Sequence, residues 1–357
     1  MGARSPYTLS AKRLRLHALD RLSGRLRKVG LDGVLDDLDR TAEPGEVPGE
    51  AAGEGFTWDE FDRDDASWWP QGVASARSGQ ILLVSWYAKR RWLVHTQGSR
   101  ISVIDRTQPA RPRYRHVLLV APRRPLGLLT TGTVPVHAGG IAVFGDLLYV
   151  ADTLFGMRVF RLGDLMRVPE RPRGAGTARF GAHGYEYVLP QLVSFRVPLR
   201  SGVSRLRYSF LSVGQVKGEP YLVVGEYRRK GKAPRLARYP IDPRTGLPAL
   251  DEHGRCAPIE LHECQPSRMQ GAALHESTWY VSASAGEGVP GDLYVGAPGN
   301  WQRHRKVLPP GPEDLAWSDP GKELWSVSEW PGCRWVFPLD VSRWQRAGHH
   351  NGRQRVE

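Results

Sequence analysis

The strongest constraint on the fold is an internal repeat of apolar strands that recurs five times between residues 66 and 341. Each copy reads as a strand, a tight turn, a second strand and then a third, as in "GGIAVFGDLLYVADT" followed by "MRVFRL". A possible fourth strand, such as "RHVLLVAP", precedes the next copy. Four antiparallel strands per copy, repeated radially, are typical of a β-propeller. The sequence therefore predicts an all-β chain that forms a five-bladed β-propeller.

Closure of the ring has to come from elsewhere, because the fifth copy ends near Val341 without an outer strand of its own. The segment "FTWDEFD" (56–62) precedes the first copy and is predicted to fill that place. A six-bladed ring is the less favoured alternative, since it would need strands inside residues 1–55, where the pattern shows none. The predicted propeller covers residues 56–345, and residues 346–357 are predicted to be a polar tail.

Residues 9–40 have a helical period instead. The apolar side chains that follow this period lie mostly on one face, with Arg and Lys opposite: Leu9, Leu16, Leu19, Leu22, Leu26 and Val29. Gly30 interrupts this pattern, and "LDGVLDDLD" can form a short second helix. Residues 1–40 are therefore predicted to form a basic amphipathic helical extension. Its apolar face either packs on the propeller, which is favoured, or contacts a membrane surface or a partner through residues 9–29. The Pro-, Gly- and Glu-rich residues 41–55 are predicted to be a flexible linker.

The formal net charge of +13 permits binding to nucleic acid or acidic lipid. In the basic stretch "YRRKGKAPRLARYP", however, aromatic residues are not interleaved in the way that single-strand binders require. A nucleic-acid partner is therefore disfavoured. No apolar run approaches the ~20 residues of a transmembrane helix, and no apolar region follows the basic N-terminus as in a secretory signal. The expected location is the cytoplasm.

Acidic residues occupy both open ends of one predicted hairpin, "GPEDLAWSDPGKELWSVSEW" (311–330). Glu313 and Asp314 open its first strand, and Glu329 closes its second. The start of the first strand neighbours the end of the second in an antiparallel pair, so these acids are expected together at the rim of the central channel. Alignment of the five copies places further polar and aromatic residues on this rim: Gln71, His137, Gln270, Trp86, Asp152, Glu226 and Trp330.

Converging polar groups in a concave place are the default hypothesis for a binding site. Clustered carboxylates raise one another's pKa, so that one can stay protonated as a general acid. The predicted catalytic residues are Glu313, Asp314, Glu329, His137, Asp152 and Glu226, and the predicted substrate-binding residues are Gln71, Gln270, Trp86 and Trp330. As alternatives, the carboxylates and His137 bind Ca²⁺ or Mg²⁺, or the acids only hydrogen-bond the turn amides of neighbouring blades.

The motifs "PQGV", "HAGGI…LYVADT…RVF", "LVVGEY", "MQGA" and "GPEDL…LWSVSEW" span roughly residues 66–340. Together they resemble a group of actinobacterial β-propeller proteins. More distantly, "GGIAVFGDLLYVADTLFGMRVF" is similar to a blade of the NHL, strictosidine-synthase-like and lactonase-like propellers. The calcium-dependent members of those families bind their ion with a Glu, two Asn and an Asp, which would imply a calcium site here. The corresponding positions of this chain include Gln71, His137 and Gln270 and contain no Asn pair.

Two functions follow from this interpretation. The favoured one is a small-molecule site at the channel mouth of an enzyme of the hydrolase, lyase or isomerase type, working by acid–base or metal-assisted chemistry. The alternative is a non-enzymatic propeller that docks a protein partner and is tethered by its N-terminal helix. A carboxylate cluster facing a closed pocket would favour the first function. A flat apolar face with carboxylates paired to Arg would favour the second.

Overall fold

The computed structural model describes residues 5–12, 14–89, 98–123, 130–169, 182–198, 201–229, 233–263, 265–318 and 322–345. The predicted polar tail, residues 346–357, lies outside this part. Short strands and three helices precede the first repeat: β1 (Leu9–Ala11), α1 (Leu16–Ser23), β2 (Arg27–Lys28), α2 (Gly30–Leu35), β3 (Arg40–Thr41), β4 (Glu43–Gly45), β5 (Gly55–Thr57) and α3 (Glu60–Asp64). Within the described residues, no helix has the length and apolar character needed to cross a membrane.

The repeats form antiparallel groups of strands that follow one another along the chain. The first two groups comprise β6 (Trp68–Ala76), β7 (Ile81–Ala88), β8 (Ser99–Asp105) and β9 (Arg113–Arg123), with β10 (Thr130–Thr133) beside β9, and then β11 (Ile141–Phe144), β12 (Leu147–Asp152), β13 (Gly156–Arg161), β14 (Met166–Arg167) and β15 (Tyr187–Arg196). The third group comprises β16 (Phe210–Val216), β17 (Glu219–Gly225), β18 (Leu236–Pro240), β19 (Arg255–Cys256) and β20 (Glu260–His262). The fourth comprises β21 (Met269–His275), β22 (Thr278–Ala283), β23 (Pro290–Ala297) and β24 (Asn300–Pro310). The fifth comprises β25 (Pro312–Trp317), β26 (Leu324–Ser328) and β27 (Trp335–Leu339), and is followed by α4 (Ser342–Gln345).

The first strands of these groups surround a central axis. Strand β6 contacts β11, β11 contacts β16, β16 contacts β21, β21 contacts β25, and β25 contacts β6 again. The second and third strands of each group lie progressively farther along the hydrogen-bonded order, away from this inner ring. The prediction of a mostly β chain with a propeller-like arrangement is therefore confirmed.

Glycine lets the first strands approach one another closely at one level of the axis. A Cβ on Gly72 would lie 2.7 Å from the amide nitrogen of Ile141 in the next group. A Cβ on Gly271 would lie 2.5 Å from the amide nitrogen of Leu315, and one on Gly140 would meet the first strand of the third group at 2.4 Å. These distances are shorter than real contacts, so backbone touches backbone and no side chain fits between the strands at this level.

Serine hydroxyls also bridge neighbouring groups, each donating to a backbone carbonyl of the next group. The bonds are Ser85 Oγ to Ala138 O (2.8 Å), Ser212 Oγ to Ala272 O (2.6 Å), Ser282 Oγ to Glu313 O (2.6 Å) and Ser75 Oγ to Ser318 O (2.9 Å). The last of these joins the first group to the fifth. Each bond satisfies a buried carbonyl at the edge of a sheet, where an unpaired group would cost about 1–3 kcal/mol.

Residues 56 and 57 of the segment predicted to close the ring do lie in an outer strand. In β5, Phe56 pairs with Val336 and Thr57 pairs with Trp335 of β27. The Thr57 hydroxyl also donates to the backbone carbonyl of Arg334 at 2.6 Å. The fifth group therefore takes its fourth strand from the N-terminal side of the chain, which removes an open sheet edge.

The N-terminal extension is less helical than predicted. Residues 16–23 form α1 and residues 30–35 form α2, close to the predicted second helix, but Leu9 lies in β1, which pairs with β15 and β19. The side chains of Leu9, Leu19, Leu22 and Leu26 are buried in the hydrophobic core together with residues of the first three groups. The apolar face thus packs on the strands, as the favoured alternative expected, while Leu16 is exposed.

Residues 41–55 are not a flexible linker. Strand β3 pairs with β9, and β4 pairs with β5. The amide of Ala51 donates to the carbonyl of Val307 at 2.9 Å, and the amide of Asp340 donates to the carbonyl of Ala51 at 3.0 Å. The composition pointed to flexibility because large apolar residues are absent, but backbone hydrogen bonds to fixed strands hold the segment in place.

Helix α1 offers a matched pair of substitutions that tests this packing. Leu22 is fully buried (0% exposed), and Leu16 on the same helix is 44% exposed. We expect Leu22→Ala to lower the free energy of unfolding by roughly 2–5 kcal/mol, because it leaves a cavity in the core. Leu16→Ala should stay within about 0.5 kcal/mol of the parent. Denaturant unfolding measures both, and equal stabilities of the two variants would contradict the packing of α1.

Candidate functional site

One-residue bulges occur at the same place in three of the first strands. The register with the second strand shifts between Pro70 and Val73, between Met269 and Gly271, and between Pro312 and Leu315. A bulge turns the side chain at the extra residue in a new direction and often lies beside a functional site. The bulged segments contain Gln71, Gln270, and Glu313 with Asp314, which are the residues that the sequence placed at the start of these strands.

The bulges bring together a chain of polar side chains from three groups. The Gln71 amide donates to Oε2 of Glu329 at 2.9 Å, and the Gln270 amide donates to Oε1 of Glu313 at 2.7 Å. Glu313 and Glu329 are joined by a hydrogen bond between their carboxyl groups. Two carboxyls of the fifth group are therefore fixed in contact by amides from the first and fourth groups. We call Glu313 and Glu329 the carboxyl pair.

The surroundings of the carboxyl pair favour a single shared proton. Burial raises the pKa of Glu313 well above its usual value, and the negative charges of Glu329 and Asp314 raise it further. Burial also raises the pKa of Glu329, but the Gln71 amide and the hydrogen bond from Glu313 favour its ionised form. Glu313 is thus the partner that holds a proton more tightly, and when protonated it donates to the Glu329 carboxylate. Because the two groups are in contact, they titrate as a unit.

Asp314 holds neighbouring first strands together at the axis. Its side chain is fully buried, and Oδ2 accepts the amide of Ile141 in the second group at 3.0 Å. The amides of Val73 and Leu315 also donate to this carboxyl, so it joins three groups at the axis. Burial raises the pKa of Asp314, and the three amides oppose that rise. Its Oδ1 has no hydrogen-bond partner among the described residues.

Two aromatic pairs lie beside the carboxyl pair. The rings of Tyr87 and His137 stack with centroids 4.3 Å apart and planes at 27°. Burial raises the pKa of Tyr87, and the charges of Glu329 and Glu313 raise it further, so the phenol keeps its proton. His137 is exposed, but the protein atoms around its ring and the charge of Arg207 lower its pKa. His137 is therefore neutral near pH 7.

The second aromatic pair is Trp69 with Trp330, whose ring centroids are 5.0 Å apart in an edge-to-face arrangement. Lys89 Nζ lies 3.6 Å from the centroid of the Trp69 ring. Gly311 has a φ of 67°, and a Cβ there would lie 2.2 Å from the Trp330 indole and 3.2 Å from Cγ of Glu329. Only glycine leaves room for both side chains at the start of β25.

Arg334 fixes the strand end that carries Glu329. Its Nε donates to the backbone carbonyl of Glu329 at 3.0 Å, and Nη1 donates to the backbone carbonyl of Asp62 at 2.6 Å. The guanidinium is fully buried, and burial lowers its pKa to about 10. The positive charge remains at neutral pH and favours the ionised form of Glu329.

The predicted site residues Trp86, Asp152 and Glu226 do not reach the carboxyl pair. After the bulge, Val73 pairs with Val84 in the first group, and Leu315 at the equivalent position pairs with Ser326 in the fifth. Tyr87 and Glu329 each lie three residues after these partners. The structural counterpart of Glu329 is therefore Tyr87, not Trp86 as the aligned motifs "VSWY" and "VSEW" indicated. Successive residues of a strand face opposite sides, so a one-residue offset moves a side chain to the other face. Tyr87 was missed for this reason.

Asp152 and Glu226 are neutralised by arginines. Oδ2 of Asp152 accepts Arg158 Nε at 3.0 Å. The fully buried Glu226 accepts Arg228 and Arg235, each at 2.9 Å from Oε1. These arginines, with two backbone amides, lower the pKa of Glu226 although burial opposes them. Both acids hold neighbouring strands and turns together.

Trp86 belongs to a buried hydrogen-bonded chain. Its indole Nε1 donates to Ser102 Oγ at 2.8 Å, and Ser102 Oγ lies 3.0 Å from His116 Nδ1. His116 Nε2 lies 2.8 Å from Oδ2 of Asp62. The order resembles a hydrolase triad, but Ser102 and Asp62 are fully buried. Burial lowers the pKa of His116 to about 4. Because the Ser102 hydroxyl is closed off from solvent, the chain has a structural role.

The described residues contain no group of three or more His, Cys, Asp or Glu side chains that could hold a metal ion. In particular, the carboxyl of Asp314 faces backbone amides, whereas the carboxyl pair is directed at Gln71 and Gln270. The predicted Ca²⁺ or Mg²⁺ ligand set of these carboxylates with His137 is therefore not assembled.

No family model matches the chain, and no curated protein sequence matches it. Similar solved structures include a thermostable family-43 glycoside hydrolase (12% identity, 78% of this chain and 90% of that chain, TM-score 0.40). Two others are the GH43_1 enzyme from Xanthomonas citri complexed with xylotriose (14%, 90% and 92%, 0.37) and the nidogen/laminin complex (14%, 81% and 84%, 0.37). TM-scores this low support no inference about function. The resemblance to actinobacterial and lactonase-like propellers stays a prediction.

The protonation of Glu313 has a consequence for stability. The unfolded chain loses this proton above about pH 4.3, whereas the folded chain keeps it. The contribution of Glu313 to stability therefore falls as pH rises from there toward its raised folded pKa. We expect Glu313→Gln to be more stable than the parent by roughly 0.5–2 kcal/mol, with the difference growing from about pH 5 to pH 8. Denaturant unfolding across this range measures it.

Glu226→Gln is the matched control, because Glu226 is equally buried but paired with arginines. Its lowered pKa means that its stabilisation is present above the unfolded value and is lost as pH falls. Removing one partner of a buried ion pair costs about 3–5 kcal/mol, so this variant should be strongly destabilised at pH 7. If Glu313→Gln is destabilised to the same degree, Glu313 is ionised and structural.

Proposed function

We propose that the five groups of strands are the blades of a five-bladed β-propeller, and that the face at the start of β25 carries a small-molecule site. At this site the carboxyl pair performs general acid–base catalysis. The observation that carries the proposal is the hydrogen bond between Glu313 and Glu329, which leaves one acid and one base in direct contact. An ionised and a protonated carboxyl side by side supply both groups that proton transfer requires.

The roles of the two carboxyls follow from their surroundings. Glu329 is partly buried, so its carboxylate is the group that can receive a proton from a bound molecule or from water. Glu313 is 2% exposed and supplies the proton of the pair. The Gln71 and Gln270 amides are positioning groups, since each holds one carboxyl oxygen and leaves another for the shared proton.

Contact between the two carboxyls narrows the reaction type. Glycosidases hold their two carboxyls ≈ 5 Å apart or more, to leave room for the sugar or for water. A hydrogen-bonded pair resembles instead the arrangement in which two carboxyls share one proton. Such a pair suits the activation of water or of an acidic C–H bond together with protonation of an oxygen. The proposed reaction classes are therefore hydrolysis and the addition or removal of water.

The proposed ligand is a small polar molecule with an apolar face. The Tyr87–His137 and Trp69–Trp330 pairs provide aromatic surface, and the Tyr87 hydroxyl and the Gln71 and Gln270 amides provide hydrogen-bonding groups. The docking of a protein partner through a tethering N-terminal helix is less favoured. The leucine face that would serve such a tether is buried in the core.

A substrate-independent experiment tests the carboxyl pair. Phenyl glycidyl ether is a small epoxide that reacts with an ionised carboxylate when an acid protonates the ring oxygen. The Glu329 carboxylate would attack an epoxide carbon, the ring C–O bond would break, and the oxygen would take the Glu313 proton. We expect one ester per chain, on Glu329, with a rate that falls at both low and high pH. Mass spectrometry of peptides locates and counts the adduct.

Variants separate this reaction from surface labelling. Glu313→Gln removes the proton donor, and we expect it to slow the modification of Glu329 at least 10-fold while the exposed Glu252 is modified at the parent's low rate. Glu226→Asp, at a carboxyl that is paired with Arg228 and Arg235, should leave the reaction unchanged. The proposal is wrong if Glu329 and Glu252 are modified equally fast, or if Glu313→Gln has no effect on Glu329.

A further inference from the structure

A cavity lies at the opposite end of the central axis from the carboxyl pair. Its volume is ≈ 390 Å³, and it is lined by residues of all five first strands, near the hairpin turns that lead to the second strands. This size is within the range of about 300–1,000 Å³ that small-molecule sites occupy. The strands begin at the carboxyl pair and end at this cavity, so the two places are separated by most of the length of β25.

The axis is closed between the two ends. Gly72 and Gly271 stand where any Cβ would collide with the backbone of the next first strand. The fully buried Asp314 carboxyl fills the same level by accepting the amide of Ile141. A molecule in the cavity therefore does not reach Glu313 or Glu329, and the cavity is a site of its own.

The lining combines small side chains with aromatic rings. Ala74, Ala142 and Ala316 leave space near the axis. The ring of Trp317 lies 5.2 Å from that of His275, and Phe144 stands in the wall. The Trp317, His275 and Phe144 side chains are each only partly buried, so some of their surface is open to a ligand. Stacking on such rings favours a planar molecule.

The charge of the cavity favours a neutral ligand. Among the described residues of the lining, Arg77 is the one with a permanent charge, and its guanidinium is paired with Asp32 at 2.5 Å. The other polar groups are neutral at the rim, notably the exposed amide of Gln215 and the partly buried hydroxyl of Ser75. An amide and a hydroxyl can each donate and accept a hydrogen bond.

We propose that this cavity binds a neutral, planar aromatic or heteroaromatic molecule, stacked against Trp317 and hydrogen-bonded at the rim by Gln215. Binding there is independent of the chemistry at the carboxyl pair. The ends of the five first strands surround the ligand.

Two related dyes test the proposal on the full chain. N-phenylnaphthylamine is neutral and aromatic, and anilinonaphthalene sulfonate has the same ring system with a negative charge. Both emit more strongly in apolar surroundings. We expect the neutral dye to bind saturably, with one molecule per chain and with energy transfer from tryptophan. The anionic dye should bind at least 10-fold more weakly. Equal binding of both dyes would overturn the neutral class of ligand.

Substitutions in the lining test whether the dye binds in the cavity. Val143→Phe fills part of the space from a partly buried wall position, and Gln215→Trp blocks the mouth from an exposed position that the core does not depend on. We expect each to weaken binding of the neutral dye at least 10-fold. Val289→Phe, at a site that is 40% exposed and outside the cavity, is the matched control and should bind as the parent does.

A further variant distinguishes binding in this cavity from binding at the carboxyl pair. Glu313→Gln should leave the affinity for the neutral dye unchanged, whatever its effect on epoxide labelling. The inference is overturned if Gln215→Trp and a folded Val143→Phe both bind the dye as the parent does. It is also overturned if Glu313→Gln abolishes dye binding, because the dye would then occupy the face with the carboxyl pair.

Discussion

Backbone contact between neighbouring first strands is the constraint on which the rest of the structure depends. Gly72, Gly140 and Gly271 allow these strands to touch at one level of the axis. Serine hydroxyls add hydrogen bonds between neighbouring groups. Asp314 completes this level by accepting amides from the first, second and fifth groups. The axis is therefore closed at this level, and a ligand on the axis can bind only at one of its two ends.

The two ends of the axis have different chemistry because the first strands are bulged where they begin and regular where they end. At the entry, one-residue bulges turn Gln71, Gln270 and Glu313 toward one another, and the end of β26 adds Glu329. At the opposite end of the axis, the regular ends of the first strands present small and aromatic side chains to the cavity. Burial disfavours the charge of Glu313, whereas the charge of the equally buried Glu226 is compensated by Arg228 and Arg235. That contrast is the physical basis for assigning function to the pair and a structural role to Glu226.

Much of this arrangement could be predicted from the sequence, because the repeat fixes the order of the strands. The period of each copy indicated antiparallel groups, and "FTWDEFD" indicated the strand that completes the fifth group. The juxtaposition of Glu313 with Glu329 followed from hairpin geometry alone. Trp86, Asp152 and Glu226 could not be placed correctly, because bulges and a one-residue offset in β26 change the face of a side chain without changing the motif. Residues 41–55 were misinterpreted because composition does not report backbone hydrogen bonds to distant strands.

The central claim is that the carboxyl pair holds one proton at neutral pH. Infrared difference spectroscopy between the parent and Glu313→Gln measures this directly, because a carboxylic acid and a carboxylate absorb at different positions. The account predicts that the parent at neutral pH shows the C=O stretch of a buried carboxylic acid, which disappears in Glu313→Gln. A difference spectrum that contains only the loss of a carboxylate band would show that Glu313 is ionised, and would contradict the account.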